Sequence, residues 1–314
     1  MKKLFTTFFL LIIGYVFSWA QVYTVNVTPN NPEWGEVEIE EEIVETYEGG
    51  KLPGVFSVSD TKQVKFSQGN LQYKASTNTW RFAEHQYDVV GMGYGLTDEE
   101  EECYVGGTVL NSDNREISST YSGWIDLFGW GTGKNPIKIG TYYEDYPTFV
   151  DWGVNKISNG GNVSNAWFTL SSGEWRYLLD DRPNASAKQG VACVNGINGL
   201  VLLPDDWTLP SGAHFTSGFA SNYGYEYFKT VNTYTASEWT LMEEAGAVFL
   251  PAAGDRFGMS MYDVGTFGFF WSSSYGSSNY AYCVFFYSGY LYPSESSSRY
   301  YGRSVRLCSE ISSK

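Results

Sequence analysis

Short runs of alternating apolar and polar residues, separated by turn-forming residues, most constrain the fold of this chain. After Gly54 the segments FSVS, QVKFS, NLQYKA and TWRFA each show a period of two, with turn residues between them. This alternation predicts strands with one buried face, joined by tight turns. The apolar runs GLVLLP (199–204) and GAVFLP (246–251) predict two buried strands.

Two short helices are predicted because each begins with a capping box. The residues SSGE (171–174) precede WRYLLDD, and the residues TASE (235–238) precede WTLMEEAG. The first helix should end at Arg182 and the second at Gly246. Few helices, many short strands and long loops rich in glycine and aromatic residues indicate an α+β domain.

The segment 269–307 has the composition of a binding surface. Between Phe269 and Arg303 lie eight of the protein's 25 tyrosines and ten serines, with no Asp, Lys, Gln or His. A core segment would consist mainly of Leu, Ile and Val, and a flexible linker would hold fewer aromatic residues. Tyrosine supplies stiff amphipathic contact area, and Ser, Gly and Asn adapt around it. We therefore predict a recognition surface here, with a half-buried aromatic core as the alternative.

The N-terminal residues predict export. Lys2 and Lys3 precede an apolar run from Leu4 to Phe17, and Ser18-Trp19-Ala20 has the small-x-small pattern of a cleavage site. Residues 1–20 are therefore interpreted as a signal peptide, with a retained membrane anchor as the alternative. The expected location is extracellular or at the cell surface, with the periplasm also possible.

The remaining chain is divided at Gly49-Gly50. Within residues 21–50, apolar and polar residues alternate in two stretches. This pattern predicts an N-terminal extension, which is an edge hairpin, the remnant of a small all-β module or a solvated arm. Residues 51–309 form the main domain, and residues 310–314 form a tail.

Charge and cysteine content narrow the possible partners. The formal net charge is −15, and it becomes −17 without the signal peptide. This acidity argues against binding to nucleic acid or to an anionic membrane surface. Cys103, Cys193, Cys283 and Cys308 allow up to two disulfides in three connectivities, although we expect several free thiols. Their spacing matches no metal-ligand pattern.

Several motifs resemble one protein family. TASEWTLMEEAGAVFLPAAGDR, FFWSSS and RYYGRSVRL are similar to motifs of exported bacterial proteins with the C-type-lectin-like fold of the formylglycine-generating (sulfatase-modifying) superfamily. The chain resembles the branch called the Fibrobacter-type major paralogous domain. The resemblance covers 54–307 and implies a compact α+β domain with small twisted sheets, whose C-terminal stretch ends at a ligand-facing surface.

A narrower resemblance concerns the variable proteins of diversity-generating retroelements, which use this fold. In those proteins asparagine codons near the C-terminus are randomised at their adenines, so that they become Tyr, Ser, Gly, Cys or Phe but never Trp, Lys, Glu, Gln or Met. Glu295 departs from this pattern and should be a fixed position. We call residues of the types that adenine changes in an asparagine codon can produce the reachable residues. They largely alternate with the expected scaffold residues Val284, Phe286, Leu291 and Val305, and a period of two places the two groups on opposite faces of a strand. The reachable residues are Cys283, Phe285, Tyr287, Tyr290, Tyr292, Ser294, Ser296, Ser297, Ser298, Tyr301 and Arg303.

The residues give little support to catalysis. The formylglycine-generating oxidases bind copper through a closely spaced cysteine pair, whereas Cys283 and Cys308 are 25 residues apart. Iron-dependent relatives need several histidines, and this chain has only His85 and His214. No nucleophile elbow occurs, and no local pattern suggests paired catalytic carboxylates. The calcium-binding motifs of C-type lectins are absent, and the acidic run 98–102 is interpreted as a solvated loop.

The predicted function is therefore binding, by an exported receptor or adhesin without enzyme activity, cofactor or metal. The expected ligand is a protein or glycan on another cell, a phage or a host surface, and no membrane insertion is expected after signal cleavage. A fixed structural or surface-assembly protein of the same fold is the second hypothesis, and a metal-dependent oxidase is the third. Arg303 is expected to offer its planar donor fork to the ligand. The predicted ligand-binding residues are Tyr275, Asn279, Tyr280, Cys283, Phe285, Tyr287, Tyr290, Tyr292, Ser294, Ser296, Ser298, Tyr301 and Arg303.

Overall fold

The computed structural model divides the chain into two units, Met1–Glu48 and Gly49–Lys314. The predicted signal peptide and the acidic run 98–102 lie outside the described residues. The residues that the structure describes are 22–27, 39–44, 47–90, 103–104, 117–138, 148–258 and 260–311.

The first unit contains a two-stranded antiparallel sheet. Strand β1 (Val22–Val27) pairs with β2 (Ile39–Val44), with Val22 opposite Val44 at one end. Both strands coincide with the alternating stretches of the sequence. The two strands form an antiparallel pair within this unit.

The second unit consists mainly of short strands, as the alternating segments predict. The four segments after Gly54 form β3 to β6, and the two apolar runs lie in β10 and β12. The strands are β3 (Phe56–Ser57), β4 (Gln63–Phe66), β5 (Leu71–Lys74), β6 (Thr79–Phe82), β7 (Cys103–Tyr104), β8 (Leu127–Phe128), β9 (Gln189–Val194), β10 (Ile197–Leu202), β11 (Thr233–Tyr234), β12 (Val248–Pro251), β13 (Asp255–Phe257), β14 (Ser260–Tyr262), β15 (Gly268–Tyr275), β16 (Tyr280–Tyr287), β17 (Tyr290–Ser298), β18 (Arg303–Ser304) and β19 (Cys308–Glu310).

These strands group into small sheets. The largest has the order β17-β16-β15-β18-β8, and a four-stranded sheet has the order β11-β9-β10-β12. Two three-stranded sheets have the orders β13-β14-β7 and β19-β4-β3, and β5 pairs with β6. Cys308 of β19 lies opposite Phe66 of β4, so the C-terminal strand closes the unit against its first strands.

Both predicted helices are present with their capping boxes. Helix α1 (Ser172–Arg176) continues into a π-helical turn, Tyr177–Asp181, and helix α2 spans Ala236–Glu244. In α2 the Thr235 hydroxyl accepts a hydrogen bond from the Glu238 backbone N–H at 3.2 Å. The Glu238 carboxylate accepts one from the Thr235 backbone N–H at 2.8 Å. Two orphan N–H groups of the first turn are thereby satisfied.

Aromatic side chains dominate the core of the second unit. One buried cluster contains Trp80, Trp130, Trp152, Trp167 and Trp271 among its members. A second cluster surrounds Trp239 of α2 and Phe249 of β12, whose rings lie 5.5 Å apart. The unit is thus a mixed α+β structure in which short sheets enclose aromatic cores and helices are few.

Removal of the α2 cap should destabilise the protein measurably. Thr235→Ala leaves the Glu238 N–H without its side-chain acceptor, and we expect a loss of about 1 kcal/mol in the free energy of unfolding. Urea denaturation followed by tryptophan fluorescence measures this change. Ser186→Ala, at an exposed position of the 3-10 helix Ala185–Lys188 and outside the α2 cap, is the control and should change stability by less than half as much. Equal losses in both variants would contradict the assigned cap.

Candidate functional site

The site is formed by the hairpins at the edge of the five-stranded sheet. In this sheet Phe269 of β15 lies opposite Phe285 of β16, and Phe285 lies opposite Tyr292 of β17. Tyr287 lies opposite Tyr290, next to the two-residue turn that joins β16 to β17. Residues directly opposite one another in antiparallel strands project from the same sheet face. The register therefore gathers these aromatic side chains on one face.

Two residues from outside these strands complete the aromatic surface, which we call the tyrosine face. Phe267 precedes β15, and Tyr223 lies in a loop before a 3-10 helix at Tyr225–Thr230. The tyrosine face consists of Tyr223, Phe267, Phe269, Phe285, Tyr287, Tyr290 and Tyr292.

Phe285 is at the centre of the tyrosine face. Its ring is stacked on Phe269, with centroids 4.8 Å apart, and on Tyr292, with centroids 5.5 Å apart. Phe267 meets Phe285 edge-to-face at 5.4 Å. These distances lie within the range of favourable aromatic pairs, so the rings support one another.

The outer rings of the tyrosine face are open to solvent. Tyr223 is 59% exposed, Tyr290 52% and Tyr292 39%. Tyr290 and Tyr292 pack against each other with centroids 4.6 Å apart, and Tyr223 packs against Tyr287 at 5.4 Å. The half-buried phenylalanines thus hold a rim of exposed phenol rings.

The loop that carries Tyr223 is tied to the sheet by Ser288. The buried Ser288 hydroxyl accepts a hydrogen bond from Gly224 N–H at 3.1 Å and donates one to the Asn222 carbonyl at 3.0 Å. The Ser288 carbonyl accepts a hydrogen bond from Ala220 N–H at 2.8 Å. Tyr223 is therefore positioned by the same turn that joins β16 to β17.

The predicted site residues differ in exposure. Tyr275, Tyr280, Tyr290, Tyr292, Ser294 and Ser296 are exposed, whereas Asn279, Phe285, Tyr287, Ser298 and Tyr301 are half-buried. Cys283 and Arg303 are buried, at 0% and 3% exposure. The expected scaffold residues Val284, Phe286, Leu291 and Val305 all lie in the interior.

The placement of Cys283 and Arg303 on the contact surface was wrong. Cys283 shares a face with Phe285, but at its position the sheet is covered by the tryptophan-rich core. Arg303 donates a hydrogen bond from Nη1 to the Cys283 Sγ at 2.7 Å, and its Nη2 lies 3.7 Å from Asp255 Oδ2. Its guanidinium carbon also lies 4.0 Å from the centre of the Phe269 ring. The donor fork expected for the ligand is used within the protein.

A bulge divides the predicted site residues between two sheet faces. Between Cys283 and Phe285 the pairing with β17 shifts, because Pro293 and Ser294 together oppose the single residue Val284. Beyond the bulge Ser296 lies opposite Tyr282, and Ser298 lies opposite Tyr280. These serines and Tyr280 therefore project from the side opposite the tyrosine face, which corrects the expectation of one uniform binding face. Glu295, opposite Cys283, returns to the side of the tyrosine face.

Tyr301 and Tyr275 each contact aromatic residues outside the tyrosine face. Tyr301 packs against Tyr300 at 4.7 Å and against Phe257, which is 38% exposed, at 5.9 Å. Tyr275, which is 58% exposed, lies 6.2 Å from the buried Trp130 ring. The guanidinium carbon of Arg299 lies 5.4 Å from the centre of the Trp130 ring and 5.6 Å from that of the Tyr275 ring, and Arg299 also donates to the Ser278 carbonyl. Arg299 thereby holds the loop that carries Asn279.

Sequence reasoning missed Tyr223 and Phe267 as members of the tyrosine face, and it missed Arg299 as the residue that holds the loop of Asn279. The stretch SNYGYEYF around Tyr223 has the same Tyr, Gly and Asn composition as the predicted segment, and this signal could have identified Tyr223. Phe267 and Arg299 carry no comparable signal, because their roles depend on contacts with distant strands.

The described residues contain no group of three or more His, Cys, Asp or Glu side chains placed to hold a metal ion. His85 is stacked on Tyr87 at 5.0 Å, and His214 is stacked on Tyr234 at 4.7 Å. Cys193, Cys283 and Cys308 are free thiols, and burial raises the pKa of each. Among the described helices, none has the length and apolar character needed to cross a bilayer.

Comparison of the chain with protein families, with curated proteins and with solved structures gives no match. The function is therefore inferred from the geometry of the tyrosine face and from its charges.

Asp255 should make the stability depend on pH. Burial raises the pKa of Asp255 from 3.8 to about 6, although Arg303 opposes the rise. Folding thus favours the neutral acid, so the contribution of this group is complete below pH 3.8 and is lost as the pH rises through 6. We expect wild type to lose about 2–3 kcal/mol relative to Asp255→Asn between pH 3.5 and 7.

Urea denaturation of both proteins at several pH values in this range tests the expectation. Glu310→Gln, at an exposed carboxylate of β19, is the control and should follow wild type. A difference between wild type and Asp255→Asn that stays constant across the pH range would contradict the raised pKa.

Proposed function

We propose that this protein is an exported ligand-binding protein of the receptor or adhesin type, and that the tyrosine face is its contact surface. The observation that carries the proposal is the continuous packing of seven aromatic rings on one sheet face, with Tyr223, Tyr290 and Tyr292 each more than one third exposed. Soluble proteins rarely leave contiguous aromatic surface uncovered unless it binds something.

The support beneath the tyrosine face fits a binding role. Phe285 is held between Phe269 and Tyr292, and the Arg303 guanidinium lies against the Phe269 ring. Side chains fixed in this way lose little conformational freedom when a ligand arrives, and this preserves affinity. Tyrosines with an apolar ring and a polar hydroxyl are frequent among the residues that dominate binding energy.

We further propose that the fold is the C-type-lectin-like fold of the formylglycine-generating superfamily. In its support, the second unit is α+β, with few short helices, small sheets and long loops. The three motifs that carry the resemblance lie in α2 and β12, in β15, and around β18. The second contains Phe269 of the tyrosine face, and the third contains Arg303, whose guanidinium lies against the Phe269 ring. This placement fits a C-terminal stretch that ends at a ligand-facing surface.

The tyrosine face is also proposed to be diversified by a retroelement. Phe285, Tyr287, Tyr290 and Tyr292 belong to the set reachable from asparagine codons, and all four are at least partly exposed on one face. Glu295, the exception in the set, lies opposite the buried Cys283. Substitution of the four aromatic residues would alter the surface while the buried Val284, Phe286 and Leu291 keep the sheet in place.

The DNA around the gene tests diversification. We expect a near-identical repeat of the coding region for 283–303 that differs only at adenines, with a reverse-transcriptase gene beside it. Sequencing of several isolates should then show changes at the codons of Tyr290 and Tyr292 and none at those of Val284 and Phe286. Absence of both the repeat and the reverse transcriptase would leave a fixed binding face.

Alanine substitution tests the binding role itself. Ligands are first selected for the mature chain from a displayed library of random peptides and from a glycan array. We expect Tyr290→Ala and Tyr292→Ala each to weaken binding of the selected ligands at least ten-fold, because truncation of a central aromatic contact typically costs about 2 kcal/mol. Biolayer interferometry measures the change.

Leu209→Ala is the matched control, since Leu209 is 46% exposed and lies outside the tyrosine face. It should leave binding unchanged, and thermal unfolding should show that all three variants remain folded. Ligands that bind the two tyrosine variants as well as wild type would remove the tyrosine face as the binding site.

A further inference from the structure

The charged groups around the tyrosine face indicate which partner it suits. From Asp255 to the last described residue, Ile311, the basic residues are four arginines, and all are at least 95% buried. Each donates hydrogen bonds within the protein. Arg256 donates to the Gly258 carbonyl, Arg299 to the Ser278 carbonyl, Arg303 to Cys283 and Arg306 to Gln86. This described part of the chain therefore presents no cation to solvent.

Carboxylates, by contrast, lie beside the tyrosine face at two positions. Asp263 is exposed, and its backbone carbonyl accepts a hydrogen bond from the backbone N–H of Phe267, a member of the tyrosine face, at 3.1 Å. Glu295 is half-buried, and its position opposite Cys283 places it on the same side of the sheet as the tyrosine face. Negative charge thus accompanies exposed phenol rings at both ends of the surface.

The lysine nearest in the sequence to the tyrosine face is Lys229, which lies beside a different sheet. Lys229 is exposed, and its backbone carbonyl accepts a hydrogen bond from the Thr233 hydroxyl at 2.9 Å, in β11 of the four-stranded sheet. Glu226 lies in the same 3-10 helix as Lys229. The surface therefore combines electron-rich ring faces with carboxylates.

We propose that the partner of the tyrosine face is a protein segment rich in lysine or arginine. This inference rests on the proposed binding function and specifies the chemistry of its ligand. A Lys ammonium or Arg guanidinium would lie over the exposed rings of Tyr290 and Tyr292, as cations do over aromatic faces. Glu295 and Asp263 would supply the opposite charge at either end.

Other partner classes fit these charges less well. An acidic segment would meet the carboxylates of Asp263 and Glu295, and the described residues from 255 to 311 would offer it no exposed cation. A neutral glycan would stack on the rings, but its binding would not depend on the charge of Glu295 or on salt. The dependence on charge therefore separates a basic partner from a sugar.

The test uses the mature chain and three fluorescent peptides of equal length, in which glycine and serine separate four residues of one type. These residues are lysine, acetyl-lysine or glutamate. Fluorescence polarisation should show binding of the lysine peptide, at least ten-fold weaker binding of the acetyl-lysine peptide, and none of the glutamate peptide. An increase in salt concentration from 20 to 300 mM should lower the affinity for the lysine peptide at least five-fold, because exposed charge pairs are screened.

Three charge variants distinguish binding of the lysine peptide at the tyrosine face from its general attraction to a protein with a negative net charge. Glu295→Gln, Asp263→Asn and Glu310→Gln each remove one negative charge, but only the first two lie at the tyrosine face. We expect at least three-fold weaker binding for those two and no change for Glu310→Gln. Tyr292→Leu should weaken binding similarly, whereas Tyr292→Phe should retain it, since the ring face is kept.

Equal affinities for the lysine and acetyl-lysine peptides, or equal effects of Glu295→Gln and Glu310→Gln, would overturn the basic-partner inference. The two proposals can fail separately. Suppose that the selected peptides or glycans bind wild type independently of salt and no longer bind Tyr292→Ala. The tyrosine face is then a binding site, and its partner is not basic. If the lysine peptide binds wild type and Tyr292→Leu equally, the tyrosine face is not where it binds.

Discussion

The tyrosine face depends on the contacts of the buried Arg303 guanidinium. The guanidinium joins Asp255 of β13, Cys283 of β16 and the rings of Phe269 and Trp271 of β15. A charge at this depth is tolerated because a carboxylate and hydrogen-bond acceptors accompany it. The guanidinium supports the inner edge of the tyrosine face through the Phe269 ring. Among the described residues from 255 to 311, it is one of four arginines that are all buried, so its charge is neutralised inside the protein and not presented to solvent.

Local sequence patterns predict much of the fold. The capping boxes at Ser171 and Thr235 depend on residues three positions apart, and period-two alternation depends on neighbours within one strand. Both kinds of pattern are therefore visible without tertiary contacts. The grouping of strands into sheets was not predictable in the same way, since β15 pairs with β18 and β18 with β8, which is more than 170 residues earlier in the chain.

The candidate site was predictable in composition but not in orientation. Tyrosine content and alternation identify Phe285, Tyr287, Tyr290 and Tyr292 as a surface. They cannot reveal the bulge at Pro293, which moves the following serines to the other side of the sheet. Nor can they reveal Asp255, whose pairing with Arg303 spans 48 residues of sequence. Long-range contacts, rather than local propensity, decide which of these residues are exposed on the tyrosine face.

The position of β17 at the margin of its sheet has a consequence for self-association. Within the described residues, no other strand pairs with its outer side. An edge strand has unpaired backbone N–H and C=O groups, which can pair with the same strand of another copy of the protein. Here Pro293 removes one backbone donor, the bulge bends the strand, and Glu295 adds charge beside it. The exposed aromatic rings of the tyrosine face therefore lie beside an edge strand whose features disfavour edge-to-edge association between copies of the protein.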